Sequence, residues 1–126
     1  MRPACLGVLL LAALLQLPLA VAQTAIVYSR QDAPQAGRAQ RLARLYDQVL
    51  IDTDLAPGVS WRPALERGIC ASDRVLLLWS RRAAASAEVA REIQTARLCG
   101  VPVVPVLLDG TPLPSDVGQL QAVDWR

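Results

Sequence analysis

The 126-residue sequence contains no histidine, lysine, phenylalanine or asparagine. Without histidine there is no Ser-His or Cys-His nucleophile pair and no imidazole ligand for a metal. Without lysine there is no Schiff-base chemistry and no P-loop, and the lack of any GxGxxG removes the Rossmann fingerprint. Any catalysis must rest on carboxylates, hydroxyls, arginine, tryptophan, tyrosine and backbone groups. All thirteen basic residues are arginine, and eleven carboxylates leave a formal net charge of only +2. This reads as genome-level codon bias. Arg38, Arg41 and Arg44 follow one helix face, which fits a solvated surface better than a phosphate-binding patch, so no nucleic-acid partner is expected.

What is present begins with a leader. "MRPACLGVLLLAALLQLPLAVAQ" carries one arginine, an apolar run from Ala4 to Leu15, then Pro18 and Ala20-Val21-Ala22. That is the layout of a secretory signal peptide cleaved before Gln23. The rival reading is an uncleaved membrane anchor over residues 4–22, interrupted only by Gln16; a misassigned start is a third. The first strand is expected directly afterwards, at about Thr24, leaving no linker to clear the headgroups, which favours cleavage. Residues 1–22 are therefore read as leader and 23–126 as one domain with a modest core. The protein is then exported, membrane-associated only if residues 4–22 stay attached, or cytoplasmic if the start is wrong. Cys5 leaves with the leader. Cys70 and Cys99 are either a disulfide or two small buried apolar residues.

From Thr24 onward, short apolar runs alternate with amphipathic stretches. Strands are predicted at 24–29, 48–52, 74–80, 101–109 and, at an edge, 122–125. Helices are predicted at 39–47, with Leu42, Leu45 and Tyr46 on one side, at 60–71 with Ser60 as cap, and at 86–99, stopped by Gly100. The strands are uniformly apolar instead of alternating, which means burial on both faces. Strand–helix repetition with such strands gives an α/β fold with an open parallel sheet and helices on both faces. Such sheets bind ligands beyond the carboxyl ends of their strands. Tyr28 to Asp32, Asp52 to Trp61, Ser80 and the first turns of the 86–99 helix converge on that rim, while Cys70 and Cys99 fall on the opposite one.

Glu92 is the residue that needs explaining. At about 100° per residue, Val89, Ile93 and Ala96 form one narrow apolar face. Glu92 lies about 65° from the centre of that face and Glu88 about 105° away. Glu92 is thus expected half-buried and facing the cleft, Glu88 solvated. A boundary residue whose stem packs while its carboxylate reaches water is the plainer account.

The ordered elements "VYSRQD" (27–32), "LIDTDLAPGVSW" (50–61), "RVLLLWS" (74–80), "VAREIQTARLCGVPVVPVLLD" (89–109) and "QAVDW" (121–125) resemble the TIR (Toll/interleukin receptor) domain in its bacterial form, over nearly all of 24–126. The resemblance implies a five-stranded flavodoxin-like sheet, here apparently without the last helix. It maps the glutamate of NAD-cleaving members onto Glu92 in "REIQTARLCG". It also implies that Tyr28, Ser29 and Trp61 help form a nucleotide cleft, which Asp32 and Ser80 join as substrate-binding candidates by their place on the same rim, with NAD as substrate and no cofactor or metal. The loop Asp54, Leu55, Ala56, Pro57 and Gly58 resembles the family's interaction and gating loop, so homotypic or heterotypic TIR domains are the implied partners. The alternative function is a non-catalytic interaction module in signal transduction. A flavodoxin-like phosphoacceptor is a poor rival, because paired acids after the first strand and a lysine are missing.

Overall fold

In a computed structural model, residues 21–52, 60–117 and 121–126 are described. The chain forms β1 (Gln23–Val27), a 3-10 turn (Arg30–Asp32), α1 (Ala33–Ala43), β2 (Gln48–Leu50), α2 (Trp61–Cys70), β3 (Arg74–Trp79), α3 (Arg81–Ala84), α4 (Ala87–Leu98), β4 (Val103–Leu107) and β5 (Val123–Asp124). The five strands make one sheet in the order β2-β1-β3-β4-β5, every pair parallel. This is the flavodoxin-like order, whose chain reversal lies between β1 and β3.

The uniformly apolar strands divide their side chains between two cores. Ala25 and Val27 of β1 and Val75, Leu77 and Trp79 of β3 face α2, α3 and α4, where Leu65, Ile69, Ala83, Val89, Ile93 and Ala96 complete one cluster. Ile26, Leu78 and Val106 point the other way and meet Ala36 and Ala39 of α1. Alternate residues of a strand necessarily serve opposite faces, so two-sided burial requires apolar side chains throughout. Full burial of aliphatic side chains such as Ile69 and Leu77 contributes about 1.5–3 kcal/mol each. Gly68 permits close approach of α2 to the sheet, since a Cβ there would come 2.3 Å from Leu50 Cδ2.

The structure differs from the sequence expectation at α1. The helix starts at Ala33, six residues before the predicted 39, and ends at Ala43. Pro34 sits in the first turn, where a missing N–H costs nothing. The buried face is Ala36 and Ala39, and the expected apolar side is in solvent: Leu45 is 69% and Tyr46 82% exposed, Leu42 46%. Small alanines win the sheet-facing positions because they let the helix lie close to β1 and β2. Trp125 holds the far side of this face, with the Arg38 guanidinium 4.2 Å from its ring centroid.

Helix α4 begins one residue inside the predicted span, capped by Ser86, whose hydroxyl accepts from Val89 N at 3.2 Å. It ends at Gly100 in the left-handed region (φ 69°), the usual stop for a helix. Cys70 and Cys99 form a disulfide with Cα atoms 5.4 Å apart, and both residues are exposed. The buried-apolar reading of these cysteines is thereby replaced. Among the described residues no helix is long and apolar enough to cross a membrane.

Candidate functional site

Helix α4 sets the site through its angular spacing. Val89, Ile93 and Ala96 are buried, Glu88 is exposed, and Glu92 is half-buried between them, as its angle dictates. Burial pushes the Glu92 carboxyl up to about 8, and the negative charges of Asp52 and Glu88 add to the rise. Arg30 and Arg62 act in the opposite sense but do not cancel it. A carboxyl that stays mostly protonated at neutral pH, set in a cleft wall, is the kind of group found at functional sites.

Around Glu92 the carboxyl ends of the strands open a cleft of about 770 Å³, within the range of small-molecule sites. The β1 end supplies Tyr28, Ser29, Arg30 and Gln31, and the β2 end supplies Asp52. Arg81 and Arg82 border it from α3, and Ser86, Glu88 and Glu92 from α4 and its cap. The Tyr28 hydroxyl donates to Asp52 Oδ1 at 3.0 Å. Burial, then the adjacent Asp52 charge, pushes the Tyr28 phenol up to about 12, so it stays a donor across the physiological range. The cleft carries carboxylates (Asp52, Glu88, Glu92) and guanidinium groups (Arg30, Arg81, Arg82) in the same wall, a lining suited to a ligand bearing both signs of charge.

The sequence-assigned residues fall into three groups. Glu92, Tyr28 and Ser29 line the cleft, Ser29 with its hydroxyl accepting from Gln31 N at 3.4 Å. Trp61 lines an adjacent narrow slot between α2 and α4, facing Glu92 together with Arg62 and Leu65. Glu92 and Glu88 belong to both spaces and form the partition between them. Asp32 and Ser80 are buried and occupied with each other: the Ser80 hydroxyl donates to Asp32 Oδ2 at 2.5 Å and accepts from Ala83 N at 3.0 Å. Arg82 completes this brace, 3.7 Å from Asp32 Oδ1 and donating to the Gln31 carbonyl at 3.0 Å. The pair ties the turn after β1 to the start of α3 and does not line the cleft. Asp54, Leu55, Ala56, Pro57 and Gly58 lie outside the described residues.

Arg81 and Arg82 were not singled out by the sequence. Their signal is slight: "SRRAAAS" is a serine cap followed by a single helical turn, too short for periodicity. Among the described residues, no three His, Cys, Asp or Glu side chains are grouped to hold a metal ion.

The family model described as "TIR domain" matches residues 25–126. No curated protein matches the chain in sequence. Among solved structures, the TIR domain of the Toll-related Receptor TRR-2 from Hydra magnipapillata superposes with a TM-score of 0.70 at 17% identity, covering 81% of this chain and 82% of that one. A 2-deoxyribosyltransferase from Bacillus psychrosaccharolyticus superposes with a TM-score of 0.63 at 13% identity, covering 83% and 86%. At these identities the likeness is one of fold.

Proposed function

Since this chain belongs to the TIR domain family, a family of signalling domains that associate with one another, we propose that it is a TIR signalling protein that cleaves NAD to nicotinamide and an ADP-ribose product through Glu92. The observation that carries this reading is a half-buried carboxylate in the wall of a cleft large enough for a dinucleotide. In the reaction the ribose–nitrogen bond breaks and its electron pair goes to the nicotinamide ring, which leaves neutral. The positive charge passes to the ribose as an oxocarbenium-like centre. Water adds there and a proton is released. A neutral leaving group needs no general acid, which suits a chain without histidine. The ionised Glu92 stabilises the developing cation and accepts from a ribose hydroxyl. Arg30, Arg81 and Arg82 suit the diphosphate, and the acidic wall suits the cationic ring.

Nicotinamide release is the test. Purified protein is incubated with NAD on a clustering support beside Glu92→Ala. Equal release from both discards the catalytic role and leaves the second reading, a binding module. That second reading draws on Trp61, which is 38% exposed at the end of the 52–61 segment.

Association is part of the proposal. In the sequence, Leu55, Ala56 and Pro57 are three consecutive apolar residues between Asp54 and Gly58. Pro57→Asp is expected to weaken self-association and NAD cleavage together while changing stability by less than about 1 kcal/mol. Sedimentation at rising concentration checks it. A wild type that stays monomeric yet cleaves NAD at full rate would place the whole site in one chain.

Export is proposed as well, with the leader removed after Ala22. The Gln23 backbone nitrogen donates to Asp73 Oδ2 at 2.7 Å, so cleavage would put a new ammonium group against a carboxylate and turn a hydrogen bond into an ion pair. Intact mass of the protein from a secreting host is expected to begin at Gln23. A mature chain retaining Met1 would return the choice to an anchor or a misassigned start.

A further inference from the structure

Helices α2 and α4 face each other along their whole length. At the cleft rim, Trp61 and Arg62 of α2 stand across the narrow slot from Glu92. At the far rim, a groove of about 590 Å³ runs between the same helices down to Cys70, Leu98 and Cys99. Glu66, Arg91 and Thr95 line both spaces, so slot and groove are one seam. The seam is closed underneath by Leu65 and Ile69 against Val89, Ile93 and Ala96. Among the described residues no hydrogen bond or ion pair crosses between the two helices. Apart from apolar packing, the Cys70–Cys99 bond is what joins them. Both cysteines are exposed, so a small reductant can reach them.

We propose that the Cys70–Cys99 disulfide is a redox-sensitive clamp on the Glu92 site: oxidised, it holds α2 against α4 and keeps Glu92 in the half-buried wall; reduced, it lets the seam widen and slows the cleft's reaction. The last clause rests on Glu92 being catalytic. The reductant is a dithiol. Its thiolate attacks one sulfur and forms a mixed disulfide, and the other cysteine leaves as thiolate. The second thiol of the reductant then resolves the mixed disulfide. The protein gains two electrons and two protons, and the reductant ends as a disulfide.

The groups that face Glu92 decide the direction of the effect. Tyr28 and Arg30 come from the β1 end, Asp52 from the β2 end, Arg62 and Glu66 from α2, and Glu88 and Arg91 from its own helix. Widening the seam withdraws Arg62, which favours the neutral acid, but it also hydrates the carboxyl. Burial is the largest cause of the raised proton affinity, so hydration wins and the midpoint falls.

The experiment uses the full chain in three forms: oxidised, reduced with dithiothreitol, and the double variant Cys70→Ser, Cys99→Ser. Carbon-13 NMR reads the Glu92 carboxyl midpoint, and nicotinamide release gives kcat and KM. Reduction and the double variant are expected to lower the midpoint by about one pH unit and, on the alkaline plateau where Glu92 is ionised in every form and only its position differs, to lower kcat by about tenfold. Reoxidation of the wild type should restore both, and dithiothreitol should leave the double variant unchanged. A reduced protein whose melting temperature falls while midpoint and rate stay put would make the bond a plain staple and overturn the clamp. If no form cleaves NAD, the catalytic reading fails, yet the midpoint still decides the clamp. Should the serine pair not fold, Cys70→Ala with Cys99→Ala takes its place, and the reduced wild type gives the same readout.

Discussion

Replacing Glu92 by glutamine is expected to lower nicotinamide release by about 10²–10³-fold, the usual scale for removing one preorganised group that stabilises transition-state charge. Glutamine keeps the shape and hydrogen-bonding reach of the side chain and removes only the negative charge, so the loss measures that charge. The wild-type pH profile provides an independent check. The proposed reaction needs the carboxylate, and burial pushes the carboxyl up to about 8. At pH 7 roughly one molecule in ten is then in the active form, and each further unit downward removes about another factor of ten. The value of kcat/KM, which reports the free protein, is expected to climb to a plateau above pH 8. The bound cationic ring favours the ionised acid, so the kcat profile should have its midpoint at lower pH. A flat kcat/KM profile between pH 6 and 9 would mean that Glu92 ionisation does not govern the reaction.

The central strands were legible because burial on both faces leaves no room for polar alternation: "VLLLW" (75–79) cannot be anything but interior once helices lie on either side. Glu92 was legible for a related reason, since a narrow stripe of Val89, Ile93 and Ala96 fixes the angle of every neighbour. Helix α1 was legible only in part. Leu42, Leu45 and Tyr46 form the more hydrophobic side, and periodicity assigns the inward face to the bulkiest residues, whereas the sheet selects Ala36 and Ala39 by the distance it allows. The Ser80–Asp32 brace and the Tyr28–Asp52 link join residues 48 and 24 positions apart. Each depends on the order in which parallel strands sit side by side, which single-residue patterns do not encode. The same holds for Cys70 and Cys99, whose pairing follows from two helices ending on the same rim.

The same glutamine substitution is expected to stabilise the fold at alkaline pH. Below about pH 4.5, the ordinary value for a glutamate, the carboxyl is protonated in both folded and unfolded chains. Between 4.5 and about 8 the unfolded chain has released its proton and the folded chain still holds it. The unfolded state then binds fewer protons, so stability falls as pH rises across that window and levels off above it. Glutamine stays neutral throughout and escapes this loss. Thermal melts at pH 8 should therefore show Glu92→Gln more stable by on the order of 2 kcal/mol, a figure reduced to allow for partial solvation of the carboxylate. In a domain of this size that is about 10 °C, and the gap should nearly vanish at pH 5. Equal melting of the two proteins at pH 8 would mean that Arg30 and Arg62 already offset the burial. Measured together, activity and stability separate the two accounts of Glu92. A boundary residue whose head reaches water would cost neither property when replaced, whereas a functional carboxylate held against its own solvation should lose activity and gain stability in one step.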